Sequence, residues 1–207
     1  MKFVAVSQRV DVCHERHERR DALDQRLTAF LLQAGFMPIP VPNGLCVENA
    51  EVISPREIFD AWMAKINPHA ILLSGGNNIG SCPERDQVEG WLLDHAQQRG
   101  LPVLGICRGM QMMGVRAGAS LKPVTGHVHN RHQLAGEING DANSYHNFSL
   151  AQCPLGFGVI AQSEDGEIEA IRNKSLPWEG WMWHPEREKL FAPRDLQRIK
   201  CLFNGMC

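Results

Sequence analysis

The sequence lacks any apolar run near the roughly 18 residues that a membrane span requires. Its opening residues, Phe3-Val4-Ala5-Val6, have the composition of a strand, and no signal-peptide core or small-residue cleavage site precedes them. Internal repeats, low-complexity tracts and linkers are also absent. A chain of 207 residues is long enough for one substantial core, so we expect a single domain over residues 1–207.

An excess of charge of either sign is missing as well. The formal net charge of −2 gives no reason to expect nucleic acid or a membrane surface as a partner. None of the seven cysteines lies in a Cys-x-x-Cys pair, the spacing typical of thiolate zinc sites. Scattered thiols without a targeting segment suit a reducing compartment, and we therefore expect a cytoplasmic protein.

Short apolar runs alternate with amphipathic stretches in the first half of the chain. Strands are expected at residues 3–6, 37–41, 69–74 and 102–106. Helices are expected at residues 21–34, from Ser54 onward, and at 85–98 and 110–116. Ser54, Pro55 and Glu57 suit the N-cap, first and third positions of a helix. This alternation predicts an α/β fold with a parallel sheet covered on both faces.

The second half has a different pattern. Residues 119–183 contain short strand-like pieces separated by Gly, Asn, Asp and Pro, which predicts antiparallel additions to the sheet. A closing helix is expected over residues 195–203.

The segment Gly105-Ile106-Cys107-Arg108-Gly109-Met110-Gln111 joins an expected strand to an expected helix. A nucleophile on such a turn lies at the C-terminal edge of a parallel sheet, where ligands bind. Small residues on either side give the tight turn room, and a helix N-terminus favours a thiolate. The backbone N–H of Arg108 can face an oxyanion. An isolated cysteine is usually a small buried hydrophobe, but these flanking residues favour a nucleophile.

His184 and Glu186 supply the base and the orienting group that a cysteine nucleophile requires. In an extended segment, residues two apart point to the same side, so Glu186 can accept a hydrogen bond from one imidazole nitrogen while the other faces Cys107. A His-x-Glu pair is common by itself. It becomes evidence for a catalytic site here because the segment around Cys107 supplies a candidate nucleophile.

A third motif, Leu73-Ser74-Gly75-Gly76-Asn77, follows another expected strand. Glycines in this position let backbone amides approach a substrate oxygen, although a Gly-Gly pair alone is more often a plain turn. We expect this loop to form the second half of an oxyanion hole.

Together the three motifs resemble the class I (triad) glutamine amidotransferases, and in particular their γ-glutamyl-hydrolase branch. The resemblance extends over residues 2–186. Arg108 directly after the nucleophile, and Arg85-Asp86-x-x-Glu89 in the preceding helix, are similar to that branch. The resemblance implies a flavodoxin-like, three-layer α/β sandwich with a mostly parallel central sheet and with Cys107 on the strand-to-helix turn.

The resemblance also implies the chemistry. Cys107 would attack the γ-carbonyl of a γ-glutamyl amide, giving a thioester, while His184 protonates the amine and then activates water. Neither a metal nor an organic cofactor is needed. The stretch Asn143 to His146 looks like the loop beside the glutamyl group. The expected oxyanion- and substrate-binding residues are Gly75, Gly76, Asn77, Arg108, Gln111, Tyr145 and His146.

The identity of the amine remains open at this point. Loops at residues 42–54 and 77–83 are expected to shape the leaving-group side. One subgroup of similar short proteins is associated with γ-glutamyl phosphoramidate intermediates of capsule sugar synthesis, so the resemblance offers such a nucleotide as one candidate substrate. The main alternative is an amidotransferase subunit that supplies ammonia to a separate synthetase; Arg108 favours the hydrolase. A non-catalytic binding protein and an endopeptidase are further alternatives, and the sequence does not give the oligomeric state.

Two groups of residues have spacings found in zinc sites: His127, His129 and His132, and Cys13 with His14 and His17. Neither group brings a matching carboxylate or thiolate pattern. We therefore expect structural or exposed roles and no metal, with His127 or His129 near the cleft because they precede the substrate loop.

Overall fold

The structure, a computed structural model, describes residues 1–47 and 53–205. Its strands are β1 (Lys2–Ser7), β2 (Arg9–Cys13), β3 (Glu18–Ala22), β4 (Phe36–Val41), β5 (Ala70–Leu73), β6 (Val103–Ile106), β7 (Leu121–Pro123), β8 (Val128–Gly136), β9 (Gly140–Tyr145), β10 (Phe148–Leu150), β11 (Phe157–Gln162), β12 (Ile168–Asn173) and β13 (Trp178–Trp181). Its helices are α1 (Gln25–Gln33), α2 (Pro55–Ile66), α3 (Pro83–Arg99), α4 (Arg108–Arg116) and α5 (Pro193–Asn204).

A nine-stranded sheet in the order β4-β1-β5-β6-β13-β12-β11-β8-β9 forms the centre of the molecule. The pairs from β4 to β13 are all parallel. Strands β4, β1, β5 and β6 follow the flavodoxin-like order, in which the first parallel strand lies between the second and the third. Here β1 lies between β4 and β5, and the β2–β3 hairpin is outside this sheet. The expected α/β fold with a large parallel sheet is confirmed.

The antiparallel half follows on the other side of β13. The pairs β13–β12, β12–β11, β11–β8 and β8–β9 are antiparallel, as expected for residues 119–183. On its other side, β13 pairs in parallel with β6 through Trp181 and Ile106, which the expectation of antiparallel additions did not include. Strands β7 and β10 also form a separate two-stranded sheet. Because β13 lies next to β6, the segment after Trp181 emerges beside Cys107.

Side-chain caps mark where α1 and α2 begin. Ser54 is the N-cap of α2 and forms a capping box with Glu57, as the sequence predicted. Helix α1 begins at Gln25 rather than at Asp21, because Asp24 provides the N-cap by accepting a hydrogen bond from Arg26 N at 2.8 Å. Asp21 instead lies within β3 of the β2–β3 hairpin, an element that the sequence did not predict, and its carboxylate accepts hydrogen bonds from Asn43.

The parallel strands form the buried core, because both faces of this part of the sheet are shielded from solvent. Every residue of β5 and β6 is buried, as parallel central strands require. In the described ranges, each helix is too short or too polar to cross a bilayer. Of the two loops expected to shape the leaving-group side, residues 48–52 fall outside the described part of the chain.

Candidate active site

Cys107 occupies a strained turn between β6 and α4. It has a φ of 50° and a ψ of −103°, which non-glycine residues rarely adopt, and its N–H donates to Trp181 O at 2.7 Å. A Cβ atom at Gly105 would lie 2.6 Å from the backbone carbon of Gly109, and one at Gly109 would overlap the carbonyl oxygen of Leu73. The two glycines are therefore required for the turn to form against β5.

His184 follows β13 and is buried beside this turn. Its Nδ1 donates a hydrogen bond to Oε1 of Glu186 at 2.6 Å. Burial lowers the pKa of His184, but the negative charges of Glu186 and Cys107 outweigh that effect and raise the pKa to about 9. The imidazole is therefore mostly protonated at neutral pH. The structure thus brings together the three residues that the sequence selected.

Asn143 holds the backbone of His184 from the neighbouring antiparallel part of the fold. Its Oδ1 accepts from His184 N at 2.9 Å, and its Nδ2 donates to His184 O at 2.8 Å. Arg26 of α1 donates to the carbonyl oxygen of Glu186 at 2.7 Å. These three bonds fix the His184–Glu186 segment in one conformation.

The glycine loop after β5 lies against the other side of His184. A Cβ atom at Gly75 would lie 2.5 Å from Cε1 of His184, so only glycine fits there. Arg85 donates to the carbonyl oxygens of Ser74 and Gly75 at 2.7 and 3.0 Å. Gly76 has a φ of 120°, which a side chain would strain. With two carbonyls held by Arg85, this loop can present its amides to a ligand.

Four charged side chains form a network beneath the turn. Arg85 pairs with Glu89 at 2.9 Å, and Arg108 pairs with both Glu89 and Asp86. Burial lowers the pKa of Arg108 to about 9, against the opposing effect of Asp86. The Arg108 side chain therefore points into the protein, and only its backbone N–H remains available for the oxyanion role expected from the sequence.

The other expected substrate residues divide into two groups. The Tyr145 ring packs edge-on against the His184 ring, with centroids 5.8 Å apart, and Gln111 donates from Nε2 to Phe148 O at 2.9 Å. Asn77 instead exchanges hydrogen bonds with the backbone of Val10, at 2.8 Å each, and so anchors the glycine loop to β2. The contacts of His146 are to His127, Glu169 and Phe148.

A cleft opens beside His184 and Glu186 and is bordered by two arginines. Arg9 comes from the β2–β3 hairpin, and Arg187 follows Glu186 directly. Both are partly exposed; Arg9 pairs with Asp11 at 2.8 Å, and the guanidinium of Arg187 lies 4.6 Å above the Tyr145 ring. The two guanidinium groups bring positive charge to this side of the site, beside the carboxylates of Asp24 and Glu186.

Sequence reasoning missed several residues that shape this site. Arg9 and Arg26 lie far from the motifs along the chain, and nothing in their neighbourhood marks them. Asn143 lies within the expected substrate loop, yet its role depends on the placement of β13. Arg85 and Glu89 stand out in the sequence only through a family resemblance.

The comparison with protein families agrees with this geometry. A model of the family "glutamine amidotransferase class-I" matches residues 45–190. The chain belongs to this family. Members of the class I glutamine amidotransferases in the comparison include both hydrolases and glutamine-hydrolysing synthetases.

Individual relatives of this class I glutamine amidotransferase differ in what they act on. The γ-glutamyl-CDP-amidate hydrolase of Campylobacter jejuni is 28% identical over 196 residues, which cover 90% of each chain. A GMP synthase of Legionella pneumophila is 28% identical over 166 residues, which cover 71% of this chain but only 31% of that protein. The solved structure of a GMP synthase component from Thermoplasma acidophilum matches with a TM-score of 0.70 at 21% identity, over the whole of this chain and 94% of its own length, a likeness in fold.

Proposed function

We propose that this chain hydrolyses the amide bond of a γ-glutamyl substrate through Cys107, His184 and Glu186. The observation that carries the proposal is the position of the His184 imidazole, which donates to Glu186 at 2.6 Å, beside a cysteine on a strained strand-to-helix turn. A nucleophile, a proton donor and a group that orients the donor are the parts that acyl transfer requires.

The reaction runs in two steps. The Cys107 thiolate adds to the γ-carbonyl carbon, and the resulting oxyanion is stabilised by backbone amides near Gly76 and Arg108. Collapse of this intermediate breaks the C–N bond as the His184 imidazolium gives its proton to the departing nitrogen, which leaves a γ-glutamyl thioester. His184, now neutral, removes a proton from water, and the hydroxide releases glutamate and regenerates the thiolate.

The glutamyl half of the substrate is assigned to the side of Tyr145 and Gln111. Tyr145 contacts His184, and Gln111 lies one helical turn after Cys107, with its N–H bonded to the Cys107 carbonyl at 3.1 Å. We assign these two side chains to the α-amino and α-carboxylate groups of a γ-glutamyl thioester on Cys107.

The leaving group is assigned to the cleft bordered by Arg9 and Arg187. Two guanidinium groups favour an amine that bears phosphate. The Campylobacter relative is a hydrolase of a γ-glutamyl-CDP-amidate, and its likeness covers almost the whole of both chains. We therefore propose a γ-glutamyl phosphoramidate nucleotide as the substrate class.

The alternative is an amidotransferase subunit that supplies ammonia to a separate synthetase. The similarity to the glutamine-hydrolysing domain of GMP synthases favours this alternative. It predicts weak glutamine hydrolysis by the isolated chain and strong activation by a partner protein, whereas a hydrolase is fully active alone.

A substrate panel separates the two functions. Purified protein is incubated with γ-glutamyl-CDP-amidate, γ-glutamyl polyamines, γ-glutamyl amino acids, folate polyglutamate and glutamine, and glutamate release is followed. We expect turnover of the phosphoramidate nucleotide far above that of glutamine, and its loss in Cys107→Ala. Turnover of a different γ-glutamyl amide would show that the amine of that compound, and not the phosphoramidate nucleotide, is the leaving group. Turnover of none would contradict the hydrolase proposal.

A further inference from the structure

Three histidines and a glutamate meet in the antiparallel half of the fold, where the proposed reaction does not use them. His127 precedes β8, His132 lies in β8, His146 follows β9 and Glu169 lies in β12. His127, His146 and Glu169 are 1%, 2% and 1% exposed. The spacing of His127 and His132 stands out in the sequence, but Glu169 does not, because it is distant along the chain and only the pairing of the strands brings it near.

The distances within this His–Glu cluster match a coordination sphere. Nδ1 of His127 lies 3.2 Å from Nε2 of His146, and both atoms lie 3.4 Å from Oε1 of Glu169. Bonds of about 2.0–2.2 Å from a tetrahedral zinc ion place neighbouring ligand atoms about 3.3–3.5 Å apart. The three atoms thus form one face of such a tetrahedron. Ligand atoms of His127, His132 and Glu169 also lie within 4.8 Å of one another, so a shift of the His132 side chain would bring it to the fourth corner.

Two atoms of the cluster have no hydrogen-bond partner among the described residues. These are Oε1 of Glu169 and Nε2 of His132, and both are buried. A buried carboxylate oxygen without a hydrogen bond destabilises the folded protein, because its hydration is lost and not replaced. A cation bound between these atoms removes that cost.

The outer hydrogen bonds set the histidine tautomers for metal binding. Nε2 of His127 donates to Oδ2 of Asp165 at 2.9 Å, and Nδ1 of His146 donates to the carbonyl oxygen of Phe148 at 3.1 Å. The other nitrogen of each neutral ring then directs a lone pair toward Oε1 of Glu169. Histidines that bind metals almost always donate their second N–H to a carboxylate or carbonyl in this way.

We propose that His127, His132, His146 and Glu169 bind a divalent transition-metal ion, best matched by zinc. Four protein ligands leave no open position, so the site is structural. The ion joins the β8–β9 hairpin to β12. Through Phe148, whose carbonyl oxygen also accepts from Gln111, it stabilises the substrate side of the proposed active site. His146 is thereby assigned to the metal rather than to the substrate, and the expectation of no metal is replaced.

Metal binding is tested independently of activity. The protein is stripped with a chelator, then incubated with zinc, desalted and analysed by inductively coupled plasma mass spectrometry. We expect about one zinc ion per chain. Replacement by Co²⁺ is expected to produce the intense visible absorption of a tetrahedral site. The same results are expected for Cys107→Ala, which excludes the active-site thiol as the ligand and separates this test from the proposed function.

Matched variants locate the ion. Glu169→Gln preserves shape but removes the charge, and His132→Ala removes a less buried ligand; we expect the metal affinity of both to fall about 10-fold or more. His129→Asn is the control, since His129 is exposed and its φ of 54° suits Asn. A wild-type protein that binds no zinc and gives no cobalt spectrum would overturn the proposal. So would zinc uptake that persists in both ligand variants or disappears in Cys107→Ala.

Discussion

Glu89 and Arg108 form an ion pair beneath the strand-to-helix turn, with 0% and 2% of their side chains exposed. Glu89 also pairs with Arg85 and accepts a hydrogen bond from Ser7 at 2.8 Å. Glu89 therefore pairs with both buried cations that support the turn and the glycine loop, and Asp86 adds a second carboxylate to Arg108 alone.

We expect Glu89→Gln to destabilise the protein strongly, because it leaves Arg85 and Arg108 with too little negative charge. Breaking a buried ion pair costs about 3–5 kcal/mol. Glu18→Gln is the control, since Glu18 pairs with Arg20 at the surface and its loss should change little. Denaturant unfolding of both variants measures the difference, and similar stability would show that the buried network contributes no more than a surface pair.

The turn at Cys107 should be more stable with glycine than with alanine. Glycine in regular structure is less stable than alanine by about 0.5–1 kcal/mol, but the positive φ at this position reverses the preference. We expect Cys107→Gly to be more stable than Cys107→Ala by about 1 kcal/mol, with both variants inactive. The midpoints of urea unfolding measure this. A more stable alanine variant would mean that the backbone is not strained.

Gly75 should be essential because the His184 ring leaves no room for a side chain at this position. Its added methyl group would meet the His184 ring at 2.5 Å, so we expect Gly75→Ala to displace the imidazole and abolish glutamate release. Gly158→Ala is the matched control, because no atom lies within 4 Å of the added carbon. The assay compares kcat for the two variants; full activity in Gly75→Ala would contradict the placement of His184.

The pH dependence should report the charge of His184. If His184, with a pKa of about 9, is the proton donor as proposed, kcat/KM should fall as the pH rises above about 9. Glu186→Gln removes the carboxylate that raises this pKa, so the alkaline limb should move down by roughly one to three pH units. An unchanged limb in Glu186→Gln would show that another group controls it.

The ionisation of His184 also makes the free energy of unfolding depend on pH. The pKa of His184 is higher in the folded protein than its ordinary value of 6.5, so its contribution to stability is complete below pH 6.5 and is lost as the pH rises through about 9. Unfolding free energies of wild type and His184→Gln across this range should converge at the alkaline end.

Arg9 should matter only for phosphorylated leaving groups. We expect Arg9→Gln to raise KM for a γ-glutamyl phosphoramidate nucleotide roughly 10-fold, the loss of about one charge-assisted hydrogen bond, and to leave glutamine hydrolysis unchanged. Arg20→Gln, on the same hairpin but outside the cleft, is the control. Equal effects on both substrates would show that Arg9 supports the structure of the site and does not contact the leaving group.

The parts of the molecule that were predictable from sequence depend on chemistry within a few residues. The capping box at Ser54 and the glycines around Cys107 are such cases, because a cap or a tight turn limits which residues fit. The start of α1 was misplaced because Asp21 and Asp24 are equally good caps in sequence, and only the contact of Asp21 with Asn43 distinguishes them.

Residues that act across the sheet were not predictable in this way. Asn143 holds His184, and Glu169 meets His127, only because antiparallel strands pair at a particular register. Nothing in the sequence marks Glu169 as a ligand, since a carboxylate between apolar neighbours resembles any other strand residue. Their roles depend on the arrangement of β8, β9, β12 and β13.

The position of β13 has a consequence for protein synthesis. This strand inserts between β6 and β12, so Cys107 and His184 meet only after the intervening antiparallel segment has been made and folded. The N-terminal part of a chain leaves the ribosome first. A growing polypeptide thus exposes the Cys107 thiol before it acquires the His184 imidazole, and the proposed reaction has to wait until β13 has been made and has paired with β6.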